Sequence, residues 1–222
     1  MENLKEKRVV LVGGGGHASD ILAAYEAIAR ETGEPHPVIG IIDDAEVDMR
    51  RFIHRGVRQI GAISDLDRCG ATHFILALGW PMAREAVAKR LTNTRLRVDT
   101  VIHPRAFVPP GVTVGDGAVV LANCVVSELA QIGCHAYLSH GTLIGHDTVI
   151  GDFASVMPGA SISGDCSIGE GCLIGANATI IEGVRVGPRS TLGAGAVLTK
   201  NTPGGIVALG TPARWKIAVH AA

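Results

Sequence analysis

The sequence predicts two joined units: an α/β domain of about a hundred residues and, behind it, a parallel β-helix. Three observations carry this expectation. A six-residue period runs through the second half, strands alternate with helices through the first, and the composition is rich in glycine but poor in aromatics. Of 222 residues, 47% are hydrophobic, only 4% are aromatic, and 29 are Gly. Such a core has to be packed with Val, Ile, Leu and Ala, and the glycines are not in collagen period.

From Ile102 every sixth residue is aliphatic (Ile102, Val108, Val114 and so on to Leu198), 17 consecutive positions. At about one aliphatic in three residues, chance gives this on the order of 10⁻⁸ of the time. The fourth residue after each aliphatic, from Ala106 to Ala196, is never larger than Val, and Gly follows the aliphatic in 8 of the 17 hexads. Neither a helix nor an ordinary sheet has this period. A triangular β-helix does: each hexad is one short strand and one corner, three hexads make a coil, and the aliphatic points to the axis. Residues 18 apart then stack. The domains read as 1–101, 102–203 and a tail, 204–222.

In the first domain Arg8–Val12 reads as a buried strand, followed by Gly13-Gly14-Gly15-Gly16-His17 and a helix from Ala18 to about Arg30. A second strand, Val38–Ile42, closes on Asp43-Asp44. A third, Thr72–Leu78, ends at Gly79, and a helix follows over Pro81–Leu91, with Pro at its first turn. Gly13-x-Gly15-x-x-Ala18 partly matches the dinucleotide fingerprint, which makes the domain Rossmann-like. Backbone N–H groups of Gly15, Gly16 and His17 at a helix start suit a phosphate or a sugar edge. Asp43 and Asp44 stand where a ribose or base is met. A tight turn and a turn cap are the plain structural readings of the same residues.

Lys+Arg number 20 and Asp+Glu 21, for a formal charge of −1. That excludes the positive field that a nucleic-acid binder or polybasic membrane protein needs. No apolar run approaches the roughly 18 residues of a membrane span. The apolar run Val9–Val12 behind Lys5, Lys7 and Arg8 is too short for a signal peptide. Five cysteines, an odd number without a CxxC, fit a reduced cytoplasmic protein.

The repeat resembles the hexapeptide-repeat acyltransferases, and Gly210-Thr211-Pro212-Ala213-Arg214 is similar to the G-x-P-A-[KR] ending common among them. With the glycine turn, the Asp-Asp pair and the repeat together, nearly the whole chain resembles the sialic acid O-acetyltransferase-like group, which includes N-acetyltransferases of nucleotide-linked amino sugars of the bacillosamine and perosamine type. The resemblance implies a left-handed winding, acetyl-CoA as co-substrate with no metal, and a homotrimer with active sites between subunits. It also implies a UDP- or GDP-linked amino sugar as acceptor, bound by Gly15, Gly16, His17, Asp43, Asp44, Gly79 and Ser139.

Ile144-Gly145-His146-Asp147-Thr148-Val149-Ile150-Gly151 looks like the segment in which that family's base lies. His146 is then the base and Asp147 the acid that raises its basicity. One coil above, Gly164 leaves room for the pantetheine arm, and its N–H suits an oxyanion. Ser155, Ala176 and Ala194 line the acetyl-CoA path by the same resemblance. Where the family often has Asn, seven residues before the base, this chain has Ser139. Cys124, Cys166 and Cys172 take the inward small position, which favours direct transfer over an acyl-enzyme. Three other readings stand beside this one: a sugar O-acetyltransferase, a γ-type carbonic anhydrase-like zinc protein using His135 and His140, and a non-catalytic scaffold.

Overall fold

Hydrogen-bonded pairing at a constant step of 18 residues organises the second half of the chain in the computed structural model, which describes residues 7–217. Lys5 and the tail residues 218–222 lie outside the described residues. Two-residue parallel strands recur every six residues from Thr113–Val114 to Val197–Leu198. Gln131 pairs with Val149, Tyr137 with Ser155 and Leu143 with Ser161. The strands fall into three sheets, the three faces of a left-handed prism. From Val120 to Leu198 each sixth aliphatic is buried, and so is the small residue four places on, from Ala118 to Ala196. Together they form one continuous core. The first positions differ: Ile102 is exposed, and Val108 and Val114 are half-buried, because only one coil covers them.

Each corner needs one residue in the left-handed region. Asn123, His135, Asp147, Phe153 and Asp165 adopt it as well as glycines. Sharing a corner conformation, His135 and Phe153 stack 18 residues apart, with ring centroids 5.0 Å apart. All five cysteines are free, and Cys124, Cys166 and Cys172 are buried in the small position. The prism continues past the expected end at 203. Ile206–Leu209 pairs in parallel with Thr191–Leu192, and Arg214–Ile217 folds back antiparallel on it. Ile206, Ala208 and Ala213 are buried, so this part of the tail caps the core.

In the first domain β1 (Val9–Val12) is central and wholly buried. It leads through Gly13–Gly15 into α1 (Gly16–Thr32), which Gly33 ends in the left-handed conformation. β2 (Val38–Ile42) follows, then β3 (Gln59–Gly61), β4 (His73–Leu76), α2 (Pro81–Arg90) and β5 (Arg97–Val98). The sheet is parallel with order β3-β2-β1-β4-β5, a doubly wound arrangement. β3 and β5, the two edges, were not expected. Ala18, Ile21, Leu22 and Tyr25 of α1 are buried at helical spacing. They share a cluster with Val101, Val119 and Tyr137, so α1 lies on one face of the prism. The two units are thereby joined through a common core. Lys7 and Tyr25 reinforce the joint on Asp99, with Lys7 Nζ 2.7 Å from its carboxylate. Among the described residues no helix is long and apolar enough to cross a membrane.

Candidate active site

His146 follows the strand Leu143–Ile144 at a prism corner. Its Nδ1 lies 2.8 Å from Asp147 Oδ2, and the side chains are 61% and 54% exposed. With the Nδ1 proton turned to the Asp147 carboxylate, Nε2 is the ring nitrogen left to accept a proton. A β-carbon added to Gly164 would sit 2.6 Å from Nε2 and Cε1 of His146. The imidazole itself takes the space that a side chain at Gly164 would fill. Glu128, one coil below, turns its carboxylate away onto Gly111.

The previous corner of the coil lies beneath the N-terminal domain. A cleft of about 370 Å³ opens there between His17, Gly79, Trp80, Met157 and Leu173. It sits at the carboxyl ends of β1 and β4, the crevice where open α/β sheets bind ligands. His17, in the first turn of α1, packs edge-on against Tyr137 at 4.7 Å and lies directly over Gly79. Burial holds its pKa below 6.5; Asp20 opposes this and Arg84 adds to it. Gly15 and Gly16 are exposed, and a β-carbon at either meets nothing within 4 Å. Gly13, at φ +108°, makes the turn that aims these amides outward. Ser139 is buried beside Tyr137, whose pKa burial raises.

The two acidic residues after β2 are spoken for. Asp43 accepts from Gly14 N at 2.8 Å and from Ala45 N at 2.9 Å. Asp44 accepts from Ile63 N and from Arg90. Asp43 therefore shapes the glycine turn, and Asp44 ties loop to helix.

Ser155 requires a correction. It is fully buried under the first domain, donating to Gly79 O at 2.9 Å and accepting from Arg84 at 2.9 Å, so it cannot line an open cofactor path. Ala176 and Ala194 do form a small-residue column with Pro158, but on the corner of the cleft and not on the corner of His146. His135 and His140 stand on different corners, and among the described residues no group of three His, Cys, Asp or Glu could hold a metal ion.

Sequence reasoning missed Trp80, Met157, Leu173 and Arg84. Trp80 precedes the helix-starting Pro81 and is 65% exposed, a signal visible in hindsight. Arg84 carried no signal.

The fold and this site define a hexapeptide-repeat transferase. Residues 104–128 and 165–200 match the hexapeptide repeat of succinyl-transferase, and 147–182 the bacterial transferase hexapeptide. Residues 8–91 match the PglD N-terminal domain. PerB from Caulobacter crescentus, solved with CoA and GDP-perosamine, is 30% identical, with a TM-score of 0.83 over 94% of this chain and 97% of that one. The acetyltransferase domain of PglB from Neisseria gonorrhoeae, solved with acetyl coenzyme A, is 27% identical, with a TM-score of 0.82 over 94% and 98%. A 38-residue stretch is 53% identical to the 2,3,4,5-tetrahydropyridine-2,6-dicarboxylate N-acetyltransferase of Staphylococcus aureus, but it spans only 17% of this chain and 16% of that enzyme. The chain belongs to the nucleotide-amino-sugar acetyltransferase family, whose members are acetyltransferases that use acetyl-CoA.

Proposed function

We propose that the protein transfers the acetyl group of acetyl-CoA to the amine of a UDP- or GDP-linked amino sugar, with His146 as base. The observation that carries the reading is the His146–Asp147 pair, 2.8 Å apart, with the imidazole seated on Gly164. The amine nitrogen attacks the thioester carbonyl, and Nε2 of His146 takes its proton. The N–C bond forms and the oxyanion collapses. The C–S bond breaks, and the CoA thiolate takes the proton back from the imidazolium. Asp147 holds the ring in the accepting tautomer and stabilises the imidazolium.

The nucleotide end of the acceptor belongs to the exposed amides of Gly15 and Gly16 and the turn shaped by Asp43, with the sugar in the cleft of His17, Gly79 and Trp80. PerB, solved with GDP-perosamine, supports this class of acceptor.

The functional unit is a trimer. In one chain a full face of the prism separates His146 from the cleft. That face carries a stacked apolar stripe, Phe107, Val125 and Leu143, exposed by 62%, 41% and 47%. A second copy seated on the stripe brings its base to the first copy's cleft and excludes water. The small column of Ala176 and Ala194 then lies on the cofactor path between the two chains.

The test is consumption of acetyl-CoA with a panel of UDP-, GDP- and CDP-linked amino sugars and free sialic acid. Turnover with a nucleotide amino sugar is expected. Turnover with free sialic acid alone overturns the amine reading in favour of O-acetylation.

A further inference from the structure

Arg84 of α2 is 1% exposed, and among the described residues no carboxylate pairs with it. Its guanidinium instead spends its donors on oxygens from three segments. Nε donates to His135 O at 2.8 Å. Nη1 donates to Leu78 O at 2.6 Å and Gly79 O at 3.2 Å. Nη2 donates to Phe153 O at 2.7 Å and Ser155 Oγ at 2.9 Å. Ser155 in turn donates to Gly79 O. A planar fork with five N–H groups can hold all of these at once; an ammonium cannot. A buried charge without a counter-ion is costly. Burial lowers the Arg84 pKa to about 10, so it stays charged at neutral pH.

What this charge holds is informative. Gly79 is the floor on which His17 rests, and Gly79, His17 and Trp80 line the cleft. Phe153 and Ser155 lie on the same turn of chain as His146, seven and nine residues on, and so at its height along the prism axis. In an assembly whose symmetry axis runs along the prism, equal height in one chain is equal height between chains.

We propose that Arg84 is the positioning residue of the acceptor: it fixes the Leu78–Gly79 turn, and with it the cleft, at the level of the bases. This rests on the reading of the cleft as the acceptor site. Arg84 touches no reacting atom, so its effect passes through Gly79 and His17.

The experiment measures both Michaelis constants for Arg84→Lys and Ser155→Ala, using whichever panel acceptor the wild type acetylates. Arg84→Lys should raise the KM for the acceptor by about tenfold, and Ser155→Ala by about threefold, with the KM for acetyl-CoA changed by less than about twofold. Histidine ¹³C–¹H spectra give an activity-independent reading: in both variants the His17 signals move and those of His146 stay. Ser155→Ala decides alone if Arg84→Lys does not fold. A common loss of kcat with both KM values and the His17 signals unchanged would overturn the proposal. A wild type inert towards every acceptor defeats the functional reading instead, and the spectra still decide for Arg84.

Discussion

An imidazole rests on a glycine twice in the molecule, once at an open corner of the prism and once in the first domain above the neighbouring corner, and the two differ in everything around them. His146 lies on Gly164 in the open, with one carboxylate for company. His17 lies on Gly79 within the first domain, edge-on to Tyr137 of the prism and over a turn that Arg84 grips. The first arrangement suits a group that exchanges protons with a passing substrate. The second suits a group that shapes a cavity: its desolvation, with Arg84 nearby, disfavours the charged form. On the proposed function, the difference means that chemistry and recognition sit at separate corners, each incomplete alone.

The largest expected effect lies at the open corner. His146→Ala should lower kcat by roughly 10²–10⁴ while KM for acetyl-CoA holds. Because the side chain is exposed, Tm should not move; a fall in Tm would make the residue structural. Next comes Gly164→Leu. The new side chain displaces the imidazole, so kcat should fall by roughly 10–100-fold in a folded protein, the scale set by misplacing a reacting group. Unchanged kcat would mean the ring does not need its seat. At the covered corner the loss should appear in binding: Gly79→Val pushes on His17 and should raise the acceptor KM by about tenfold with little change in kcat at saturation. An effect on kcat alone would erase the proposed division between the corners.

The smallest effect is on stability against pH. Burial holds His17, His103 and His135 below their ordinary 6.5. Protonation therefore favours the unfolded chain, and stability complete above 6.5 is lost as pH falls through that value towards the folded ones. Glu85 is pulled to about 2 by hydrogen bonds from Arg189 and then Lys89. Its contribution is present above 4.5 and is lost as pH falls towards 2. Calorimetry should show Tm falling in two stages, the lower one smaller in Glu85→Gln. A Tm that rises on acidification from pH 7 to 5 would contradict the histidine assignment.

The prism was legible because its constraint is local and repeated. A position facing the axis at Ile144 faces it again at Ile162 and Ile180, so the hexad named strands, corners and stacking partners, including Gly164 above His146. What fills the space over Gly164 was not legible, since spacing fixes a neighbour but not a rotamer. In the first domain β1, β2 and β4 declared themselves as apolar runs. Gln59–Gly61 and Arg97–Val98 are short edge strands with little apolar pattern, and only their pairing reveals them. Asp43 and Asp44 were placed correctly after β2, yet their hydrogen bonds serve the loop. Arg84 shows the limit most plainly. In Pro81–Arg90 it looks like one more charge on a solvated helix, and only the packing of α2 on the prism makes it a buried cation behind the cleft.

The central claim is that the base of one chain serves the cleft of another, and complementation tests it directly. His146→Ala and Gly79→Val chains, each with a different tag, are co-expressed, and the mixed assemblies are purified through both tags. Transfer is then measured with the acceptor well below its KM. With sites shared between chains, every trimer that holds both variants pairs an intact base with an intact cleft at one of its three sites, and the mixed assemblies should regain about a third of wild-type activity. Mixed assemblies no more active than the two parents would contradict the account, because every site would then be built within a single chain.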